Sequence, residues 1–583
     1  MFAFMLAATW QRWTHPVIDH GREMFLPARI LAGERLYEDI QYLYGPFAPY
    51  FNAALYWLFG VHLAVLHTAG AFCAVLILGL CYWLARQLLP AWEAALAAGL
   101  VLVVCALQVR GNYISPYSFA ALYGLLFALG ALAAAMRYMQ SGHPGWGFWA
   151  GTCTGLAAIA KFEAALAALA GVAVALALRA MLARRLTWQA PAAFGTPVVL
   201  ITAATFGLIL RHVHWRVLLN DNYLLLANAP PQLIYFNKLV SGLLWPLAGL
   251  LISLSGLGVC GMLAGVMALL AALASWRAGP EWRTTAKRAL LVLVLSAVWW
   301  ALLMRRWGFV SPNYNPFSSS SLVLALLSTL LVWRIVRAHL AGAPVVLEEC
   351  LLLVLAVFGF FASLRVIFNV TTVGPYVPFF LPVLIVVHLV LLFRYVPLFF
   401  ALPERLRANI RLIATAWVSL AVLWLGGWSV HDFRVQHTFR LSTPRGSLLT
   451  APHIGQPFAA ALSYIQQHTR PEDFVLPLPQ ATGINFLAER RYPFREDIVL
   501  PGFITGAKER DAIERIKARQ VPLILVISLD TSNFRDRSFG LDYNRELMDW
   551  IKQHYRPKAC FDSGSSRAVG NDEECFLHAY EPQ

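Results

Sequence analysis

Charge is scarce in this sequence. Only 13% of its 583 residues are Asp, Glu, Lys or Arg, roughly half of the ~25% usual in soluble globular domains. Hydrophobic residues make up 59%, and the mean hydropathy is +0.60. This composition excludes an ordinary soluble enzyme and implies an integral membrane protein. Acidic residues are the rarer sign, 31 against 46 Lys and Arg, for a net charge of +15. The cations lie in short loops between apolar runs. That pattern fits anionic lipid headgroups and the cytoplasmic bias of basic loops, and it gives no reason to expect nucleic acid as a partner.

Cysteine is sparse as well. No zinc-type cysteine cluster, P-loop or GxGxxG pattern stands out. Cys73, Cys81, Cys105, Cys153, Cys260 and Cys350 lie in or beside apolar runs, where the thiol behaves as a small hydrophobe. Cys560 and Cys575 lie in the polar C-terminal region. Turn-forming residues separate them, and a disulfide between the two is expected.

What the chain has in quantity is spanning-length apolar sequence. A transmembrane helix needs roughly 20 apolar residues. Runs of about this kind occur at 62–83, 91–109, 119–135, 146–160, 164–178, 192–210, 244–268, 289–304, 319–333, 346–364, 377–393 and 412–428. With the short run Met1–Trp10, read as a first membrane helix shortened at its N-terminus, the expected bundle has about 13 helices. Placing the loop after this first run outside and alternating puts Arg86, Arg137, Arg179, Arg184, Arg185, Arg277, Arg283, Lys287, Arg288, Arg334, Arg337, Arg394, Arg405, Arg407 and Arg411 inside. The outside loops then carry fewer cations, among them Arg110, Lys161, Arg305, Arg306 and Arg365. The imbalance favours this orientation, which also leaves the C-terminal region outside.

The first loop, 11–51, departs from the rest. Asp19, His20, Arg22 and Glu23 fall together beside a membrane boundary, where ionisable groups are costly and point to function. On a helix, Asp19 and Glu23 share one face. Phe25, Leu26, Ile30 and Leu31 alternate with charges and read as an amphipathic interfacial helix that Gly33 ends. Tyr37, Tyr42, Tyr44, Tyr50, Tyr56 and Trp57 read as an aromatic belt at the water boundary. Two readings of the loop stay open: a catalytic centre, or an interfacial segment with solvated charges.

Lys161-Phe-Glu163 is a tight turn between two apolar runs. Its two charges either neutralise each other or meet substrate. His212 and His214, two residues apart, make a poor helical metal pair, but a strand would bring them to one face. Beyond about residue 431 the composition becomes polar. Apolar strands near 473–477 and 521–528 alternate with helical patterns near 457–467, 507–519 and 544–555, predicting a small α/β domain over 431–583. Residues 1–430 form the expected membrane domain.

With these residues in view, the chain resembles GT-C type glycosyltransferases, polytopic enzymes that use polyprenyl-phosphate sugar donors. It is similar to the bacterial branch near protein O-mannosyltransferases and lipid A aminoarabinose transferases. The carrying features are Asp19 to Glu23, Gly33-Glu-Arg-Leu-Tyr37, Tyr44-Gly45-Pro46, the Lys161-Phe-Glu163 turn and the outer C-terminal domain. The resemblance implies a multi-pass protein of the bacterial inner membrane with its C-terminal domain in the periplasm. It also implies transfer of a sugar from a polyprenyl-phosphate to a glycan, lipid or protein acceptor, with inversion. Asp19 matches the family's first-loop acid and is expected as general base. Many relatives have adjacent Asp-Glu, whereas Glu23 here stands four residues on, so its role beside Asp19 is open between orientation, sugar binding and a divalent metal. No metal ligand set is assigned. Arg22, Tyr44, Arg110, Lys161, Glu163, Arg305, Arg306 and Arg365 are the candidate substrate contacts. A transporter or flippase of lipid-linked sugars, and a polymerase or ligase using lipid-diphosphate oligosaccharides, are the competing classes.

Overall fold

A computed structural model describes residues 1–184, 188–225, 227–276, 294, 298, 315–399, 404–562, 565–568 and 575–583. The chain is mostly helical, as lipid demands: a spanning segment must satisfy its backbone hydrogen bonds internally. In order come α1 (Phe2–Ala8), α2 (Asp19–Leu31), α3 (Phe47–Phe59), α4 (Leu63–Arg86), α5 (Ala91–Val101), α6 (Phe119–Ser141), α7 (Pro144–Ala160) and α8 (Phe162–Ala183). Further helices run over Gln189–Ile209, Pro231–Ser241, Pro246–Trp276, Ser320–Leu340, Leu347–Ser363, Val377–Val390 and Glu404–Gln436. Among the described residues, nine helices are long and apolar enough to cross a membrane. Every predicted run on described residues is mainly helical, the run 91–109 ending in strand Leu107–Gln108; the run 289–304 lies almost wholly outside them. The N-terminal run forms only the 7-residue α1.

The bundle is built around α6, whose apolar stretch is the most enclosed of the nine, 78% buried. Ala128, Ala131, Ala134 and Ala135 are all buried on it. Small side chains let neighbouring helices approach closely where no hydrophobic drive exists between helices in lipid. Helices α4, α7, α8 and Leu347–Ser363 pack around it.

Two sequence expectations for the first loop need correction. Helix α2 forms and ends before Gly33, whose φ is +96°, but it does not lie with its charged face toward headgroups. Arg22, Glu23 and Arg29 are buried: Glu23 lies against the start of α6, Arg22 over the Tyr44 ring, and Arg29 under the C-terminal region. Gly21 and Gly483 make this possible: a Cβ on Gly21 would stand 2.7 Å from the Gly483 Cα. Arg29 donates to Glu34 at 2.6 Å and to the Phe494 carbonyl at 2.9 Å, and it pairs with Asp497. Nor do the aromatics form a belt. Tyr37, Tyr42 and Tyr56 are buried in the protein; Tyr50 and Trp57 are exposed.

The C-terminal region carries a five-stranded mixed sheet. Val475–Leu478 runs parallel to Leu523–Ile527, joined by a crossover that includes the helix Ala507–Ala518, as parallel pairing requires. Leu523–Ile527 pairs antiparallel with Leu577–Pro582, which pairs with Tyr555–Asp562, and that strand with Ser565–Ala568. Cys560 and Cys575 are joined, with Cα atoms 5.8 Å apart.

Candidate functional site

The site is assembled where three parts of the chain meet at one end of the bundle: the first loop, the α7–α8 junction and the C-terminal region. The Gly33–Tyr37 stretch ends α2 and turns the chain back, and the Tyr37 hydroxyl donates to the Tyr44 carbonyl at 2.6 Å. Gly45 lies directly on the end of α7; its N–H donates to the Ala160 carbonyl at 3.1 Å, and a Cβ there would fall 2.1 Å from the Ile159 oxygen. Tyr44 is thereby placed over the next residues, with the Lys161 ammonium 3.5 Å from its ring centre. The Arg22 guanidinium is 5.8 Å from the same ring. Both contacts are cation–π in kind.

The two first-loop carboxylates have different surroundings. Glu23 Oε2 accepts the Phe119 N–H at 2.7 Å, capping the N-terminus of α6, where a negative charge is favoured. Its Oε1 is 3.4 Å from Arg22 Nη2, and the side chain is only 4% exposed. Burial raises the Glu23 pKa to about 7, against the pull of Arg22. Asp19 is 3.5 Å from Arg22 Nη2, and its side chain is 29% exposed. Burial also raises the Asp19 pKa, with Arg22 and Lys161 acting in the opposite sense. Asp19 is the carboxylate of the pair that remains reachable.

Arg22 occupies the position between these carboxylates that a shared divalent ion would need, so the two do not fit a common metal. Among the described residues no group of three or more His, Cys, Asp or Glu is gathered as a metal site. His212 and His214 are part of no such group.

Lys161 is buried and within hydrogen-bond reach of Tyr117 Oη, at 3.4 Å. Burial lowers its pKa to about 8. Glu163 does not pair with Lys161: it accepts from Arg365 Nη1 at 3.0 Å. The backbone explains the exchange. Lys161 has extended geometry at φ −148° and ψ 115°, whereas Glu163 is already in the first turn of α8, so the two side chains diverge. Arg365 also lies over Tyr376, 4.9 Å from the ring centre, and its buried Nε has no hydrogen-bond partner among the described residues.

Lys161, Glu163, Arg365, Tyr117 and Tyr376 stand at one cleft whose walls include Leu125, Ala164, Phe358 and Phe380. About 60 Å³ of it is free, room for a few waters and too little for a sugar without movement. Asp19 is not on its wall; Arg22 and Tyr44 connect it to Lys161 there. Arg110 is exposed on the turn between strands Leu107–Gln108 and Gly111–Asn112, and is not on that wall. Arg305 and Arg306 lie outside the described residues.

Two solved structures align along nearly the whole chain at low identity. A structure of the archaeal oligosaccharyltransferase AglB from Archaeoglobus fulgidus, in complex with an inhibitory peptide and a dolichol-phosphate, aligns over 98% of this chain and 74% of its own, at 12% identity and a TM-score of 0.42. ArnT from Cupriavidus metallidurans bound to undecaprenyl phosphate aligns over 99% of this chain and 96% of its own, at 15% identity and a TM-score of 0.43. No protein-family model matches the chain, and no curated protein matches its sequence. The fold and the chemistry of this chain rest on its own residues.

Sequence reasoning passed over three contributors, Tyr117, Gln480 and Asp497. Tyr117 forms an edge-to-face pair with Tyr376, centres 4.8 Å apart, on the cleft wall; Tyr376 itself flanks, with Arg365, a loop that the arginine imbalance places outside. Gln480 is a hydrogen-bonding influence on Asp19, and Asp497 anchors Arg29. Both belong to the C-terminal region, and nothing in their local sequence points back to a loop more than 400 residues earlier. Tyr117 carried a signal: Ser115-Pro-Tyr117-Ser118 is a polar break immediately before an apolar helix.

Proposed function

We propose that this chain is a membrane glycosyltransferase that moves a sugar from a polyprenyl-phosphate donor to an acceptor on the outer side of the membrane. The observation that carries the reading is the contrast between Asp19 and Glu23. One carboxylate is reachable and lies beside buried cations; the other is consumed in capping α6 and pairing Arg22.

In this reading the donor's phosphate lies near Lys161 and Arg365, at the cleft. Both are cations in a low-dielectric setting, where charge on a leaving phosphate is stabilised most strongly. An acceptor O–H or N–H attacks the anomeric carbon from the Asp19 side. The bond from that carbon to the phosphate oxygen breaks, and the electron pair leaves with the lipid phosphate. Asp19 takes the acceptor proton as general base. A direct displacement of this kind inverts the anomeric centre. Arg22 holds Asp19 and Glu23 in place, and the C-terminal region covers the helix that carries them.

Transfer is favoured over transport because these charges gather at one end of the bundle, where the C-terminal region closes over them. The experiment is mass spectrometry of envelope glycans and lipids from cells lacking the protein, complemented with wild type or with Asp19→Asn. A glycan lost on deletion, restored by wild type and not by the variant, supports the reading. An unchanged glycan and lipid profile on deletion opposes it.

A further inference from the structure

At the opposite end of the bundle is a second cavity of about 560 Å³. It lies where the α4–α5 connection, the start of Leu347–Ser363, the end of Val377–Val390 with the turn after it, and the start of Glu404–Gln436 converge. Three guanidinium groups stand on its wall, those of Arg394, Arg407 and Arg411, against two carboxylates, Glu348 and Glu404. Two of the arginines are fixed from behind: Arg411 pairs with Glu93, which is fully buried, and Arg394 pairs with Glu348. Each of these pairs uses one nitrogen of a group that carries five N–H donors. The rest of the wall is apolar, including Leu89, Phe393 and Leu398.

We propose that this cavity binds the headgroup of an anionic phospholipid, separately from the donor site at the other end. The chemistry required is a phosphate held by two or three guanidiniums with hydrocarbon leaving along an apolar wall. Basic pockets between the ends of membrane helices recognise such headgroups on the cytoplasmic side. Pre-fixed arginines lose less freedom on binding and present planar donors that match phosphate oxygens. The apolar wall beside the cations favours a lipid over free phosphate.

The test is native mass spectrometry of the delipidated full-length protein in detergent, titrated with phosphatidylglycerol, phosphatidylethanolamine or inorganic phosphate. The variants are the double substitution Arg394→Gln with Arg407→Gln and, as a control off the cavity wall, Arg334→Gln. Arg411 is left intact because its removal would strand buried Glu93. The expected result is a preference for phosphatidylglycerol over phosphatidylethanolamine of about tenfold or more. The preference should fall to near unity in the double variant and persist in the control, with both variants monodisperse. Equal binding of the two lipids by wild type, an undiminished preference in the double variant, or inorganic phosphate competing as well as the lipid would overturn the proposal. Should the double variant aggregate, Arg407→Gln alone is titrated, with a reduced preference expected and an unchanged one decisive against the site.

Discussion

The Lys161 ammonium sits 3.5 Å from the centre of the Tyr44 ring, and that contact joins the first loop to the α7–α8 junction. Among the described residues no carboxylate lies within ion-pairing distance of Lys161, because Glu163 is taken by Arg365. A buried ammonium held by aromatic faces and a phenol is costly to keep charged. It gains from an anion brought beside it.

That cost gives a pH prediction. Burial lowers the Lys161 pKa to about 8, so the group is charged below this value and loses its proton above it. If Lys161 holds the donor phosphate, kcat/KM for the donor falls as pH rises through about 8, since this ratio reports the free enzyme. Lys161→Met should raise donor KM at neutral pH and remove that alkaline limb. An unchanged limb in the variant would assign it to another group.

Glu23→Gln should act on stability more than on chemistry. The carboxylate accepts the Phe119 N–H and faces Arg22. Replacing it by a neutral amide weakens both contacts in a buried place, at about 1–3 kcal/mol. The measurement is a thermal melt beside an activity assay. A clear drop in Tm with most of the turnover retained is expected; turnover lost with an unchanged melt would return Glu23 to the chemistry.

The Arg29–Asp497 pair should be worth more broken on one side than removed on both. Arg29→Met leaves buried Asp497 without its cation, at about 3–5 kcal/mol, whereas Asp497→Ala leaves Arg29 still paired with Glu34 and should cost less. The double variant should recover part of the loss. A double-mutant cycle by thermal unfolding reads this coupling, and additive losses would show that the pair does not join the loop to the C-terminal region energetically.

Topology can be tested with reporter fusions. The last membrane helix continues to Gln436, so a fusion there reports the side of the C-terminal region, and one at Arg184 reports the opposite end of α8. A periplasmic signal after Gln436 and a cytoplasmic signal at Arg184 are expected. The reverse pair would invert the orientation drawn from the arginine imbalance.

Much of the membrane architecture was legible because apolar runs of spanning length have few alternatives to helix. The Gly33 stop was legible for a local reason, a glycine at positive φ just past the helix end. The burial of Arg22 and Arg29 was not: an alternation of Phe25, Leu26 and Ile30 with charges looks the same whether water or the C-terminal region covers the charged face. The Glu163–Arg365 pair was obscured similarly, since its partners are 202 positions apart and Lys161 is the nearer cation in sequence. Strands Tyr555–Asp562 and Leu577–Pro582 escaped because their burial does not alternate cleanly: the first begins with exposed Arg556, Pro557 and Lys558, with an irregularity at Pro557.

The most direct test is the transfer rate of purified Asp19→Asn with a polyprenyl-phosphate sugar donor and the acceptor identified from the deletion strain. Asparagine keeps the size and hydrogen-bonding capacity of the side chain but cannot take the acceptor proton. The expected result is a loss of about 10²–10⁴-fold in rate, with an unchanged melting temperature and donor lipid still bound. Wild-type transfer by a folded Asp19→Asn protein would contradict the assignment of Asp19 as the base.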